Sequence, residues 1–282
     1  MRLLTNGVIF RFIIFIFFSL SEKSLFANDC NVRGIKAYAP VLCGSAMQGG
    51  MIYAESDWII SEVNGSAQSK NGIFAMPISM EDERKIITLR FCKDDKCQNF
   101  DYKISRRDYK KQTVSVDEKF MIYPEEVQRR IDKENDAIID VRGNIDYSFA
   151  EFMDFRYPFS KKYKISGTYG SRRVFNGEDK RPHQGFDIAA PEGTKVRPIG
   201  RGRVILVIEG YLVGKTVFID HGYGIFSAYL HLSKINVKKG DIVNFDSVIG
   251  SVGSTGRVSG PHLHLGLYFN QTAIDPELAI SY

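Results

Sequence analysis

No histidine occurs in the first 182 residues of this 282-residue chain; all five, His183, His221, His231, His262 and His264, lie beyond that point. Histidine scattered for packing would not respect such a border, whereas histidine gathered for metal or proton chemistry would. Cysteine is confined the other way. Cys30, Cys43, Cys92 and Cys97 all precede the histidines. No two have C-x2-C spacing and none neighbours a histidine, which sets aside a cysteine zinc module. H-E-x-x-H is absent, so the peptidase design that takes its base from a helical glutamate is excluded. The apolar run Phe12–Leu20, broken only by Ser19, is shorter than the ~20 residues a spanning helix needs. The net charge of +5 is mild. No basic stripe interleaved with aromatics is present, so no nucleic-acid partner is expected.

What is present divides the chain into four parts. Arg2 and Arg11 supply positive charge ahead of the apolar run, and the pattern over 1–27 reads as a secretory signal peptide cut after Ala27. Leu25 is large for the −3 position, so the alternative is an uncleaved anchor, and membrane association would follow only then. Asp29 directly before Cys30 argues against a lipoprotein signal. Four cysteines in an exported chain read as disulfides, with Cys30–Cys43 and Cys92–Cys97 as the expected pairing. Lys93-Asp94-Asp95-Lys96 would form the turn of a hairpin closed by the second bridge.

Residues 28–115 read as short strands with turn signals at Asn64-Gly65 and Asn71-Gly72. Phe74, Met76 and Ile78 alternate at period two, with Pro77 suited to an edge. A small N-terminal β-sandwich is expected here, serving as a spacer or binding module. Residues 116–159 contain a linker helix. Val127, Ile131, Ile138 and Val141 keep helical spacing, Pro124 suits the first turn, Glu125 and Glu126 suit its dipole, and Gly143 suits the stop. Phe149, Phe152, Phe155, Tyr157 and Phe159 follow as an aromatic run expected to pack at the junction. Residues 160–282 lack long helical periodicity. Val204–Ile208, Thr216–Asp220 and Ile225–Leu230 are strand candidates separated by glycine turns. An antiparallel sheet or partly open barrel is expected, making the protein mainly β.

The chemistry concentrates between Pro182 and His264. Residues two apart on a strand share a face, so His262 and His264 can enter one cleft while Leu263 and Leu265 point into a core. His183 and Asp187 lie four apart, but Pro182 and Gly185 disfavour a helix, so a loop or bulged strand must bring them together. Two imidazoles and a carboxylate are a common catalytic zinc set. Five histidines exceed what one zinc needs. Spacing alone leaves open whether His262 or His264 is the ligand.

These residues resemble the LytM/lysostaphin-type zinc endopeptidases, peptidase family M23. The resemblance rests on His183-Gln184-Gly185-Phe186-Asp187, Ile219-Asp220-His221-Gly222, Tyr229-Leu230-His231-Leu232, and Gly253-Ser254-Thr255-Gly256 leading to Gly260-Pro261-His262-Leu263-His264. It covers about residues 160–280. Exported Gram-negative members are also similar, more loosely, around Gln48-Gly49-Gly50, Pro124-Glu125-Glu126-Val127 and Ser166–Arg173. The resemblance implies zinc ligands at His183, Asp187 and His264. It implies catalytic, non-ligating roles for His231 and His262, and a structural one for His221. It implies hydrolysis of a peptide bond in peptidoglycan stems or crosslinks, in the periplasm or cell envelope. The second function class is a non-catalytic LytM-type module that binds and activates another wall hydrolase. The expected discriminator is the ligand set, which is complete here. Residues 28–158 are expected to be able to mask or steer the site. A third likeness, of Val237–Val243 to the hammerhead of biotinyl and lipoyl carriers, concerns barrel shape and not function.

Overall fold

The computed structural model describes residues 43–55, 59–62, 68–70, 73–114, 122–143 and 155–281. The expected leader, the Cys30 half of the first expected bridge, and Phe149 and Phe152 lie outside these residues.

Among the described residues, the N-terminal region is a pair of packed sheets. Strands β1 (Cys43–Gly44), β2 (Met51–Glu55), β4 (Gln68–Lys70) and β5 (Ile73–Pro77) form one, in the order β1-β2-β5-β4; β3 (Ile59–Glu62), β6 (Ile86–Lys93) and β7 (Lys96–Lys103) form the other, in the order β3-β6-β7. Ile52, Ala54, Phe74 and Met76 from the first meet Ile60, Ile87, Leu89 and Phe91 from the second in one buried cluster. That is the sandwich expected. The opposite face of the first sheet is buried too, because Met51, Tyr53 and Ala75 belong to the large cluster formed by the C-terminal strands. A sheet buried on both faces needs apolar residues at every position, which is why Met51-Ile52-Tyr53-Ala54 runs without a polar break. Pro77 pairs with Met51 on one side, but β4 reaches only Ile73–Ala75 on the other. The proline therefore sits on a local edge, where its missing N–H costs no ladder bond.

Cys92 and Cys97 are paired across β6 and β7 and joined by a disulfide. Asp94 and Asp95 close the hairpin, both at positive φ (49° and 62°). A two-residue turn with both central residues left-handed matches the twist of the flanking strands.

Helix α1 (Glu125–Gly143) has acidic residues in its first turn and Arg142 in its last. It is held to the C-terminal region by polar contacts. Arg130 donates to the Glu209 carbonyl (3.0 Å), Glu134 accepts from the Tyr211 N–H (2.8 Å), and Gln271 donates to the Ile139 carbonyl (2.9 Å). Before it, β8 (Lys111–Val114) pairs in parallel with β11 (Arg172–Phe175), which also pairs with β12 (Glu178–Asp179). Close by, Arg107 and Asp275 form a 2.7 Å ion pair with Asp275 almost wholly buried. The two regions are thus joined by strand pairing, apolar packing and a buried charge pair.

The short β9 (Phe155–Arg156) pairs with β22 (Ile280–Ser281). Phe155 and Phe159 are buried in the C-terminal core, so these aromatics pack as expected. The principal C-terminal sheet is antiparallel and open. It runs β10 (Lys164–Gly167), β13 (Phe186–Ala189), β20 (Leu263–Phe269), β17 (Ile225–Ile235), β16 (Gly214–Asp220), β15 (Gly202–Gly210), β18 (Ile242–Val243). β14 (Lys195–Val196), β19 (Gly250–Val252) and β21 (Thr272–Ile274) attach beside this path. Leu263, Leu265 and Leu267 face the core, as the alternation around His264 requires.

Candidate metal centre

Three adjacent strands, β13, β20 and β17, carry most of the site. Asp187 stands directly opposite His264 across β13 and β20. Opposed residues of an antiparallel pair project from the same face, with Cβ atoms about 5 Å apart, so these two meet by construction. On the next strand Leu230, not His231, is opposite His264. Simple alternation would send His231 into the core beside Tyr229. Between Val217↔Tyr229 and Lys215↔Leu232, however, Thr216 alone faces both Leu230 and His231, and His231 takes φ +65°. A bulge of this kind re-aims one side chain. It turns His231 to the His264 side, with ring centroids 6.2 Å apart.

His183 precedes β13 on a loop. Its N–H donates to the Ser171 carbonyl (3.0 Å), and its carbonyl accepts from the Gly170 N–H (2.8 Å). Its Nδ1 lies 3.0 Å from the Thr168 carbonyl. A carbonyl only accepts, so the ring proton sits on Nδ1 and Nε2 offers its lone pair to the site. His183 Nε2 is 3.0 Å from Asp187 Oδ1 and 2.9 Å from His264 Nδ1; His264 Nδ1 is 2.8 Å from the same Oδ1.

Three acceptor-type atoms therefore converge on one point, all on buried residues. A single proton on His264 Nδ1 can satisfy one of these contacts, but a cation between the atoms satisfies all three. Donors about 2.0 Å from a tetrahedral centre stand about 3.3 Å apart, close to the spacing found. The residues fit a metal ion. Burial alone would raise the Asp187 pKa, but its hydrogen bonds and charge interactions with His183 and His264 bring it well below the usual carboxylate range. Burial lowers His264 to about 4 despite Asp187.

The remaining two imidazoles flank this triangle. His231 Nδ1 lies 2.9 Å from the Thr255 carbonyl and His262 Nδ1 lies 2.8 Å from the Gly260 carbonyl, so each neutral ring leaves Nε2 free. Their centroids are 5.0 Å apart, and His262 Nε2 is 3.8 Å from Asp187 Oδ1. Burial, with the neighbouring imidazoles, pushes His231 down to about 3. His221 is elsewhere. It is buried between the Arg201 carbonyl and the Ser227 hydroxyl (2.7 Å each), edge-on to Phe155. All five expected site residues are brought together, and His221 is left in the core.

Sequence reasoning did not single out the supports. The Thr168, Thr255 and Gly260 carbonyls carry no side-chain signature. Arg173, whose guanidinium contacts Asp187 Oδ2, appeared only as the last residue of the Ser166–Arg173 stretch.

This combination of an open antiparallel sheet and a His-x-x-x-Asp plus His-x-His donor set defines a class. Residues 181–276 match the sequence profile of peptidase family M23, so this region carries a peptidase M23 domain. It is 46% identical over 114 residues to peptidoglycan DD-endopeptidase ShyA of Vibrio cholerae, covering 40% of this chain and 26% of that protein. It is 39% identical over 124 residues to an uncharacterized metalloprotease of Buchnera aphidicola, covering 43% of this chain and 33% of that protein. The matches thus span about a quarter to a third of these relatives. A crystal structure of a putative peptidase M23 from Pseudomonas aeruginosa shares the fold, with TM-score 0.64 and 24% identity over 84% of this chain and 95% of that one.

Proposed function

We propose that this protein is a zinc-dependent peptidoglycan endopeptidase that hydrolyses a peptide bond in cell-wall stem peptides or crosslinks. The observation that carries the reading is the convergence of His183 Nε2, Asp187 Oδ1 and His264 Nδ1 within 3.0 Å of one another, with two further imidazoles alongside. His183, Asp187 and His264 hold the metal. Two nitrogens and one oxygen suit zinc with a coordination position left open. Zinc bound there supplies Lewis acidity and lowers the pKa of water.

The rest is the work of the chain. His231 and His262 present free Nε2 atoms at one side of the donor triangle. One takes the proton of the attacking water. The other, in its protonated form, donates to the oxyanion or to the departing amine. Their Nδ1–H bonds to backbone carbonyls fix ring orientation, so neither ring must be ordered when substrate arrives.

The relatives named peptidoglycan DD-endopeptidases support a wall crosslink as substrate. The Cys92–Cys97 bridge supports an oxidising compartment such as the periplasm or outer envelope. The complete donor set favours an enzyme over a non-catalytic module that only activates another hydrolase. Within this reading, residues 28–158 steer the site. What supports that is the contact of α1 with Glu209 and Tyr211, since this hairpin's Val213 carbonyl accepts from the His231 N–H (3.2 Å).

The test is release of soluble fragments from labelled sacculi. The zinc-loaded chain should solubilise them, a chelator should stop release, and added zinc should restore it. Release that persists in chelator would overturn metal dependence.

A further inference from the structure

The contact between Arg173 and Asp187 goes beyond the ligand set. Asp187 has two oxygens with different partners. Oδ1 faces His183 Nε2 and His264 Nδ1, while Oδ2 is taken by the Arg173 guanidinium in a side chain largely withdrawn from solvent. Gly167 completes the cradle: a Cβ there would lie 2.4 Å from Oδ2, 3.0 Å from Cγ and 3.3 Å from the guanidinium. Arg173 Nε is buried without a hydrogen-bond partner among the described residues. The guanidinium is therefore anchored here by its contact with Asp187 and not by a saturated network.

We propose that Arg173 is a positioning residue for the metal centre: by engaging Oδ2 it restricts Asp187 to a single donor oxygen and aims Oδ1 at the point shared by the two imidazoles. Arg173 is itself held from outside the metallopeptidase region. Its strand β11 pairs in parallel with β8, with Arg173 opposite Gln112, and the Arg172 N–H donates to the Lys110 carbonyl (2.9 Å). Gly170 lies against the Tyr109 ring, where a Cβ would come within 2.1 Å. The strip from Tyr109 to Val114 therefore braces the same segment whose carbonyls orient His183. The metal centre has an outer support drawn from the N-terminal part of the chain.

This inference rests on the metal-site reading above, and its test separates the two. Zinc dissociation constants are measured on the full chain by chelator competition, with the visible spectrum of the cobalt-substituted protein as a second readout. Apo-protein melting serves as the folding control. Loss of an outer support to a metal ligand typically weakens binding by about 10–100-fold. Arg173→Met is expected to show a loss in that range and an altered cobalt spectrum. Arg173→Lys, which keeps charge but not the planar fork, is expected to lose several-fold. Gly167→Ala should weaken binding by crowding Oδ2 and the guanidinium that holds it. If Arg173→Met does not fold, Arg173→Lys decides. Wild-type affinity with a wild-type spectrum in the folded Arg173 variants overturns the positioning role alone. A wild-type chain that binds no zinc overturns the metal-site reading with it.

Discussion

His231 and Thr255 are joined by a 2.9 Å hydrogen bond from the imidazole Nδ1 to a backbone carbonyl, and that bond decides which nitrogen faces the site. The same rule governs His262 through Gly260 and His183 through Thr168. Three histidines from different parts of the chain thus have their tautomer set by main chain. In the proposed division of roles, position separates ligand from acid–base group: His183 reaches the Asp187 oxygen at 3.0 Å, whereas His262 stops at 3.8 Å.

That difference predicts a split among alanine variants. His183→Ala and His264→Ala should lose both bound metal and turnover. His231→Ala and His262→Ala should retain metal while turnover falls by about 10²–10⁴-fold, the usual worth of a positioned acid or base. Metal content and activity on crosslinked muropeptides are measured together. Full hydrolysis by His262→Ala would remove it from the mechanism.

Gly185 is where backbone must pass close to the His264 ring. A Cβ there would lie 2.4 Å from the Leu265 carbonyl and 2.7 Å from His264 Nε2. Gly185→Ala should therefore displace His264, weakening zinc binding by about tenfold or more and lowering the melting temperature. Chelator competition on the purified variant checks this; an unchanged affinity would show that the ring can shift without cost.

Helix α1 should influence catalysis without touching substrate. Glu134 accepts the Tyr211 N–H, and the hairpin that follows holds the His231 backbone through Val213. Glu134→Ala should lower kcat with little change in KM or in zinc affinity. Wild-type kcat in this variant would sink the steering role assigned to residues 28–158.

These supports mark the limit of what the sequence discloses. His-x-His alternation foretells that His262 and His264 share a face, and Leu263 and Leu265 are buried as that requires. The helix expected from Pro124 onward spans Glu125–Gly143. The sandwich follows from period-two patterning at Phe74, Met76 and Ile78, all buried. Two things are not legible. The bulge that turns His231 comes from the pairing of two distant strands and carries no local turn residue. The parallel pairing of β8 with β11 joins segments some sixty residues apart, and local propensity does not encode register between such segments. The resemblance implies His264 rather than His262 beside Asp187, and the register sets His264 directly opposite Asp187.

His221 gives a pH prediction separate from catalysis. Burial lowers its pKa to about 4 in the folded chain, against ~6.5 when unfolded. Between these values the unfolded chain binds a proton that the folded chain refuses. Its contribution is fully present above pH ~6.5 and is lost as pH falls toward 4, about 3 kcal/mol across the window. In His221→Asn the curve of unfolding free energy against pH should be shallower there, by up to ~1.4 kcal/mol per pH unit. Parallel curves for variant and wild type would show that this imidazole does not resist protonation.

The most direct test of the central claim is mass spectrometry of purified crosslinked muropeptides after incubation with the zinc-loaded chain. The account predicts that dimers become monomers with one water added per crosslink, and that His231→Ala, still carrying zinc, leaves them intact. Dimers left whole by a wild-type chain with its metal bound would contradict it.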